Sequence, residues 1–166
     1  MTSPVSQRVV VFLDYQNVYH RARDAFCSPR ASANEGQVDP VALGHLLAAR
    51  VPGGSLTGVR VYRGRPSQRR DPRSHAACRR QSARQVSRGG GLVVGILFSS
   101  DTDLVPALEA VLALRPGDRA CEVAAWAAPG RRPRSLSVRG ASIRSHLLTQ
   151  ADYRSVADLS DYTCTE

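Results

Sequence analysis

The stretch VVVFLDYQNVYH, residues 9–20, indicates the fold, because it joins a short apolar run directly to a polar segment that can form a helix. The run Val9–Leu13 is continuous and rich in valine, which is typical of a strand buried on both faces of a parallel sheet. It ends on Asp14, and Asn17 follows three residues later. We predict a helix over 15–26, so that Asp14 lies at the junction of strand and helix.

The rest of the chain alternates segments of the same two kinds. Further strands are predicted at about 55–64, 92–98, 119–127 and within 141–150. Helices are predicted from Pro40, which Asp39 caps, over about 102–115, and near Asp152–Ser160, and the segment after Pro72 is compatible with a helix. Strands that alternate with helices indicate an α/β fold around a parallel sheet. Ligands bind such sheets at the carboxyl ends of the strands.

Length and composition exclude several classes of protein. With 166 residues, of which 42% are apolar and 22% charged, residues 1–166 are predicted to form one globular domain. No stretch approaches the roughly 18 consecutive apolar residues of a membrane helix. The first eight residues are too short and polar for a signal peptide, so we expect a cytoplasmic protein without membrane contact. The four cysteines are far apart, which indicates neither structural zinc nor a disulfide framework.

Positive charge is concentrated in two places. The net charge is +9, and the window 60–88 holds ten arginines against a single acid, Asp71. A second cluster lies in GRRPRSLSVR, residues 130–139. Such concentration suits a polyanion such as nucleic acid, whereas the alternative is a solvated basic face without a partner. For GRRPRSLS, residues 130–137, a loop that contacts RNA and a plain linker are both open. For Arg21 a surface position without a role is favoured over a phosphate contact.

Acidic residues also follow a second predicted strand, in FSSDTDLVPALEAV, residues 98–111, where Asp101 and Asp103 mark the change from strand to helix. We call Asp14 with Asn17 the first acidic station and Asp101 with Asp103 the second. Helix capping explains each station taken alone, since Ser100 and Asp103 fit a capping pattern and Asp14 can cap the first helix. Together the stations favour a different interpretation. Three carboxylates at one sheet edge repel one another unless a cation lies among them, and oxygen ligands suit Mg²⁺ or Mn²⁺.

The two stations, in this order and on these strands, resemble the NYN domains, which are metal-dependent ribonucleases of the PIN-like superfamily. VVVFLDYQNVYH is similar to their opening strand with D-x-x-N, and ILFSSDTDLVPALEAV to their S-x-D-x-D station. SIRSHLLTQADYRSVADLSDY is similar to the tail of one bacterial branch. The resemblance spans almost the whole chain. It implies a PIN-like three-layer α/β/α sandwich with a mostly parallel central sheet.

The resemblance also implies roles for individual residues. Asp14, Asp101 and Asp103 would bind Mg²⁺ or Mn²⁺ and, together with Asn17, form the catalytic set. Asn17 would orient a ligand water or a substrate phosphate. The predicted contacts to substrate are two serines at the helix start and five arginines of the basic window: Ser99, Ser100, Arg63, Arg65, Arg79, Arg80 and Arg84.

One departure from the family pattern concerns the segment before the second station. NYN domains of this branch carry a further strand and helix there, with another acid for the metal site. Here no Asp or Glu occurs between Asp71 and Asp101, and the chain is predicted to be shortened near 85–91. Three acids would then suffice, or Glu109, Glu122, Asp118 or another chain would supply the fourth, or catalysis is weak.

The sequence therefore predicts a ribonuclease that cleaves RNA, most simply single-stranded, with a metal-activated water. The alternative is a catalytically weak or inactive RNA-binding or regulatory protein with the same fold. A missing crossover helix would expose apolar surface on one face of the sheet, which favours a homodimer.

Overall fold

The computed structural model describes residues 7–63, 93–114 and 121–160. They form a five-stranded sheet in the order β2-β1-β3-β4-β5, in which every neighbouring pair is parallel. In chain order the strands are β1 (Gln7–Asp14), β2 (Gly54–Tyr62), β3 (Val93–Phe98), β4 (Cys121–Trp126) and β5 (Ser145–Leu148). The helices are α1 (Tyr15–Phe26), α2 (Pro40–Ala49), α3 (Val105–Leu114) and α4 (Gln150–Val156), and a turn of 3₁₀ helix, Thr102–Leu104, precedes α3.

Strand β1 lies between β2 and β3, as its apolar sequence predicts. Val9, Val11 and Leu13 are fully buried against the helices on one face, whereas Val10 and Phe12 on the other face are only partly buried. The register between β1 and β2 shifts by one residue after Val9. Strand β1 therefore positions whatever follows it at the centre of the carboxyl edge.

Helices cover both faces of the sheet, which makes the molecule a three-layer sandwich. The larger core lies on one face and joins side chains of α1, α2 and α4 to β1, β3 and β4. The smaller core lies on the other face, where Leu108 of α3 packs with Val123 of β4 and with Leu136 and Val138 of the following connection. The α/β class and the three-layer arrangement predicted from the sequence are confirmed, and the sheet expected to be mostly parallel is parallel throughout the described strands.

The predicted elements differ from the structure mainly at the last helix. The helix expected near Asp152–Ser160 spans Gln150–Val156, because Thr149 and Asp152 form a reciprocal capping box that starts it earlier. At its far end Asp39 N–H donates to the Val156 carbonyl at 2.8 Å. The predicted shortening near 85–91 and the helix expected after Pro72 lie outside the described residues. Within the described ranges, none of the helices combines the length and the hydropathy needed to cross a bilayer.

Candidate active site

Asp14 closes β1 and also caps α1. Its Oδ1 accepts a hydrogen bond from the Asn17 backbone N–H at 3.3 Å, which satisfies a free donor of the first helical turn. Its Oδ2 accepts the hydroxyl of Ser99 at 3.0 Å. The register explains this second contact, because Leu13 pairs with Phe98 and the next residues therefore lie side by side. Asp14 is thus both a helix cap and part of a network that joins two strand ends.

Ser99 connects the two acidic stations. Its side chain is fully buried, and its hydroxyl donates to Asp14 and accepts from the backbone N–H of Asp101, both at 3.0 Å. Because one oxygen makes both contacts, the Asp14 carboxylate oxygen and the Asp101 nitrogen lie within about 6 Å of each other. The structure therefore brings together Asp14, Ser99 and the start of the second station.

A second set of contacts joins α1 to the same turn. Oδ1 of Asn17 accepts from the backbone N–H of Ser100 at 3.1 Å and from its hydroxyl at 2.8 Å. The Nε of Arg21 donates to the Ser100 hydroxyl oxygen at 3.0 Å. Asn17 and Arg21 are four residues apart and so lie on one face of α1. The amide oxygen of Asn17 holds the turn after β3, and the role predicted for Asn17 toward a water or a phosphate stays a prediction.

Asp101 caps the turn of 3₁₀ helix that precedes α3. Its Oδ1 accepts from the backbone N–H of Asp103 at 3.0 Å. The capping pattern expected to begin at Ser100 is wrong in its first residue, since Ser100 is engaged with α1 and Asp101 is the cap. Asp101 and Asp103 are both exposed, so their carboxylates are accessible to a cation in solution.

The donor set at this edge consists of oxygen atoms, which suits Mg²⁺ or Mn²⁺ rather than a softer metal. Across 7–63, 93–114 and 121–160, no group of three or more His, Cys, Asp or Glu side chains is arranged to hold a metal ion. Magnesium in phosphoryl-transfer sites is usually held by one or two carboxylates, several waters and the phosphates of the substrate. The carboxylates of Asp14 and Asp101 fit that habit.

Arg63, at the carboxyl end of β2, lies on one side of the acidic residues. Its Cζ is 4.0 Å from the centroid of the Tyr15 ring, within the range of a cation–π contact. Burial raises the pKa of the Tyr15 phenol, and the hydrogen bond to the Val38 carbonyl and the charge of Arg63 oppose the rise. The other arginines predicted to contact substrate lie outside the described residues: Arg65, Arg79, Arg80 and Arg84.

On the other side of the acidic residues, a groove runs between α1 and the connection 127–138. Arg134 lines it together with Arg21, Ser100 and Asp101. Arg134 belongs to the second basic cluster, for which the sequence left an RNA-contacting loop and a plain linker open, and for Arg21 a surface position without a role was favoured. The helical spacing from Asn17 was a signal for Arg21, whereas nothing in the sequence reports how the connection after β4 folds back toward the sheet edge.

Glu122 does not supply a fourth carboxylate. It is the second residue of β4, at the amino end of the strand, and its side chain is buried against His146 of β5, to which it is hydrogen-bonded. Four further residues of β4 separate it from the carboxyl edge, about 13 Å at the rise of an extended strand. Glu109 is exposed on α3, and Asp118 lies outside the described residues.

Comparison with known proteins adds no relative from which a role could be transferred. No protein-family model matches the chain, and searches of curated proteins and of solved structures found no significant match.

Proposed function

We propose that this protein is a PIN-like ribonuclease of the NYN type that hydrolyses RNA phosphodiester bonds with Mg²⁺ or Mn²⁺. One observation carries the proposal: Ser99 and its neighbours hydrogen-bond the acid at the end of β1 to the acid-bearing turn after β3. Capping alone requires neither a buried hydroxyl between the stations nor the contact of Asn17 with Ser100. The network gives both acids fixed positions at the sheet edge where parallel α/β proteins bind ligands.

The burial and hydrogen bonds of each residue suggest its role in the proposed reaction. The partly buried carboxylate of Asp14, held by two hydrogen bonds, would be a direct metal ligand, and the exposed Asp101 would be the second. Asp103 would contact the ion directly or through water. The metal would lower the pKa of a bound water and offset charge on the phosphate. Asp14 and Asp101 would orient the water and the scissile phosphate. Ser99 and Asn17 would hold these two acids in place.

The charges on both sides of the acidic residues support a polyanionic substrate. Arg63 lies beyond the end of β2, and Arg21 and Arg134 line the groove on the β4 side. A single strand of RNA is flexible enough to follow such an edge, and the arginines would hold its phosphates on both sides of the cleaved bond. The homodimer predicted from the shortened segment stays a prediction.

A second function, RNA binding without efficient cleavage, is favoured by one specific observation. The described residues contain no group of three or more ligand side chains arranged to hold a metal ion. A site with one or two carboxylates binds Mg²⁺ weakly until the phosphates of the substrate complete its coordination. In this reading the arginine-lined edge is retained for binding, and the acids serve as helix caps.

Cleavage by Asp14→Asn distinguishes the two functions. Asparagine caps a helix as well as aspartate does, so the variant keeps the start of α1 but removes the charge. Asp39→Asn is the matched control, because Asp39 caps α2 through Val41 and Ala42 and does not line the groove. With labelled single-stranded RNA and Mn²⁺, we expect Asp14→Asn to lose more than about 100-fold in rate and Asp39→Asn to match the parent.

Equal rates for Asp14→Asn and the parent protein would disprove the proposed chemistry. Absence of cleavage in the parent, with intact RNA binding, would support the second function. Thermal melting in Mn²⁺ adds a check, since an ion that binds only the folded protein raises its stability. We expect the rise for the parent and for Asp39→Asn but not for Asp14→Asn.

A further inference from the structure

The groove on the β4 side of the acidic residues has room for a bound nucleotide. It consists of two adjoining cavities of about 510 and 520 Å³, a size typical of sites for small ligands. The cavities share four lining residues, Asn17, Arg21, Ser100 and Arg134. The cavity that includes Asp101 lies at the acidic edge. The other, which we call the inner cavity, extends to the end of β4. The groove is therefore continuous with the proposed active site.

The rim of the groove is positively charged. Arg131, Arg132 and Arg134 come from the connection after β4, and all three are exposed. Arg21 faces them from α1. Asp24 is the acid of the inner cavity, and its carboxylate lies 3.9 Å from the guanidinium of Arg21. In the inner cavity, four guanidinium groups against this one carboxylate favour an anion, and the planar guanidinium fork matches the oxygens of a phosphate.

The floor of the inner cavity is apolar, which a site for phosphate alone would not require. It is formed by Phe98, Trp126 and three small residues, Ala25, Ala125 and Ala128. The Nε1 of Trp126 donates to the Val18 carbonyl at 3.0 Å, and its ring packs at 5.0 Å from that of Phe98, centroid to centroid. The floor is thus held rigidly by the core before any ligand arrives.

We propose that this groove binds one nucleotide of the RNA strand next to the cleaved bond, with its phosphate at Arg131, Arg132 and Arg134 and its sugar and base on the apolar floor. The inference rests on the proposed function, since it identifies the strand in the groove as the substrate. It goes further in assigning the β4 side of the edge, rather than the basic window 60–88, as the place where a single nucleotide is held.

Binding of adenosine 5′-monophosphate in EDTA tests the groove without any cleavage. We expect Arg132→Ala/Arg134→Ala to weaken binding about tenfold or more, because two charged contacts to the phosphate are lost. The control is Arg30→Ala/Arg139→Ala, which removes the same charge from two exposed arginines that line neither cavity. The control should bind like the parent protein. Inorganic phosphate and adenosine should each bind more weakly than the nucleotide, since each uses only part of the site.

Equal loss in the two double variants would overturn the assignment, because the effect would then be net charge alone. Inorganic phosphate that binds as tightly as the nucleotide would overturn the role of the floor. Asp14→Asn separates this inference from the proposed function. If it cleaves RNA like the parent while Arg132→Ala/Arg134→Ala still loses the nucleotide, the chemistry is wrong and the groove remains a nucleotide site. If instead Asp14→Asn loses cleavage while Arg132→Ala/Arg134→Ala binds the nucleotide like the parent protein, the chemistry stands and the groove assignment falls.

Discussion

Ser99 is the residue on which the geometry of the acidic edge depends. Carboxylates at the ends of neighbouring strands repel each other, and a buried hydroxyl that donates to one and accepts from the backbone beneath the other holds them at a fixed separation. Serine is the smallest side chain that can do both at once. Its burial is what distinguishes this position from an ordinary serine in a turn, since a hydroxyl on the surface would exchange its partners with water.

Ser99→Ala should therefore raise the Mn²⁺ requirement of cleavage in addition to weakening the fold. We expect the Mn²⁺ concentration for half-maximal cleavage to rise about 10- to 100-fold, as for other residues that orient a metal ligand. The loss of two hydrogen bonds at a buried position, one of them to a carboxylate, should lower the free energy of unfolding by about 1–3 kcal/mol. The measurement is a Mn²⁺ titration of RNA cleavage beside urea unfolding. Ser55→Ala, at an exposed position of β2, is the control and should change neither quantity. An unchanged Mn²⁺ requirement would mean that Ser99 serves the fold alone.

At this scale the sequence predicts which residue types lie at the strand ends, but not which atoms meet. Asp14 and Asp101 follow apolar runs, so their place at the carboxyl edge is predictable from parallel topology. The contact between Asp14 and Ser99 depends on the register of β1 and β3, which no local pattern reports. The same holds for Arg134, whose position depends on the path of a connection without regular structure.

Among the elements, α4 shows how the start of a short helix is fixed. Thr149 and Asp152 form its capping box, and Arg50, at the end of α2, donates to the Asp152 Oδ1 at 2.7 Å and to the Leu147 carbonyl at 2.9 Å. The T-x-x-D spacing was present in the sequence and predicts the start of the helix when it is applied. The ion pair to Arg50 was not predictable, because it joins residues about a hundred positions apart.

Asp152→Asn should destabilise the protein at neutral pH and much less in acid. Burial alone raises the pKa of the Asp152 carboxyl, but hydrogen bonds from Thr149 and Arg50 outweigh it, so the pKa lies below its ordinary value. A lowered folded-state pKa contributes stability above the unfolded pKa of about 4, and the contribution is lost as the pH falls through the folded value. We expect a difference of about 1–2 kcal/mol at pH 7 that shrinks below pH 4.

Urea unfolding at several pH values measures this difference. Glu109→Gln, on the exposed side of α3, is the control and should show little effect at any pH. A constant difference between Asp152→Asn and the parent from neutral to acid pH would show that the charge of Asp152 contributes nothing.

For the whole molecule, the apolar pattern predicts the class of fold, but it does not predict how completely each face of the sheet is covered. The runs 9–13 and 92–98 predicted buried parallel strands, and β1 and β3 lie side by side at the centre. Periodicity does not report how evenly the two faces are covered. Val9 and Val11 are fully buried on the face of the larger core, whereas Val10 and Phe12 on the opposite face remain partly exposed, although all four are equally apolar in sequence.

The positive charge of the molecule predicts that its affinity for RNA depends on salt concentration. The chain carries a net charge of +9. Among the residues that the structure describes, arginines lie on both sides of a small acidic centre, Arg63 on one side and Arg21 and Arg134 on the other. RNA held by such an edge releases counterions, and the logarithm of the binding constant then falls with the logarithm of salt concentration by about 0.7 per phosphate contacted. For about four contacts, affinity should fall about 50-fold between about 50 and 200 mM NaCl.

Fluorescence anisotropy with Asp14→Asn and a labelled single strand of RNA measures this affinity without cleavage. Removing Arg132 and Arg134 together should reduce the slope by about 1.4, whereas a flat salt dependence would show that the arginines do not hold phosphates.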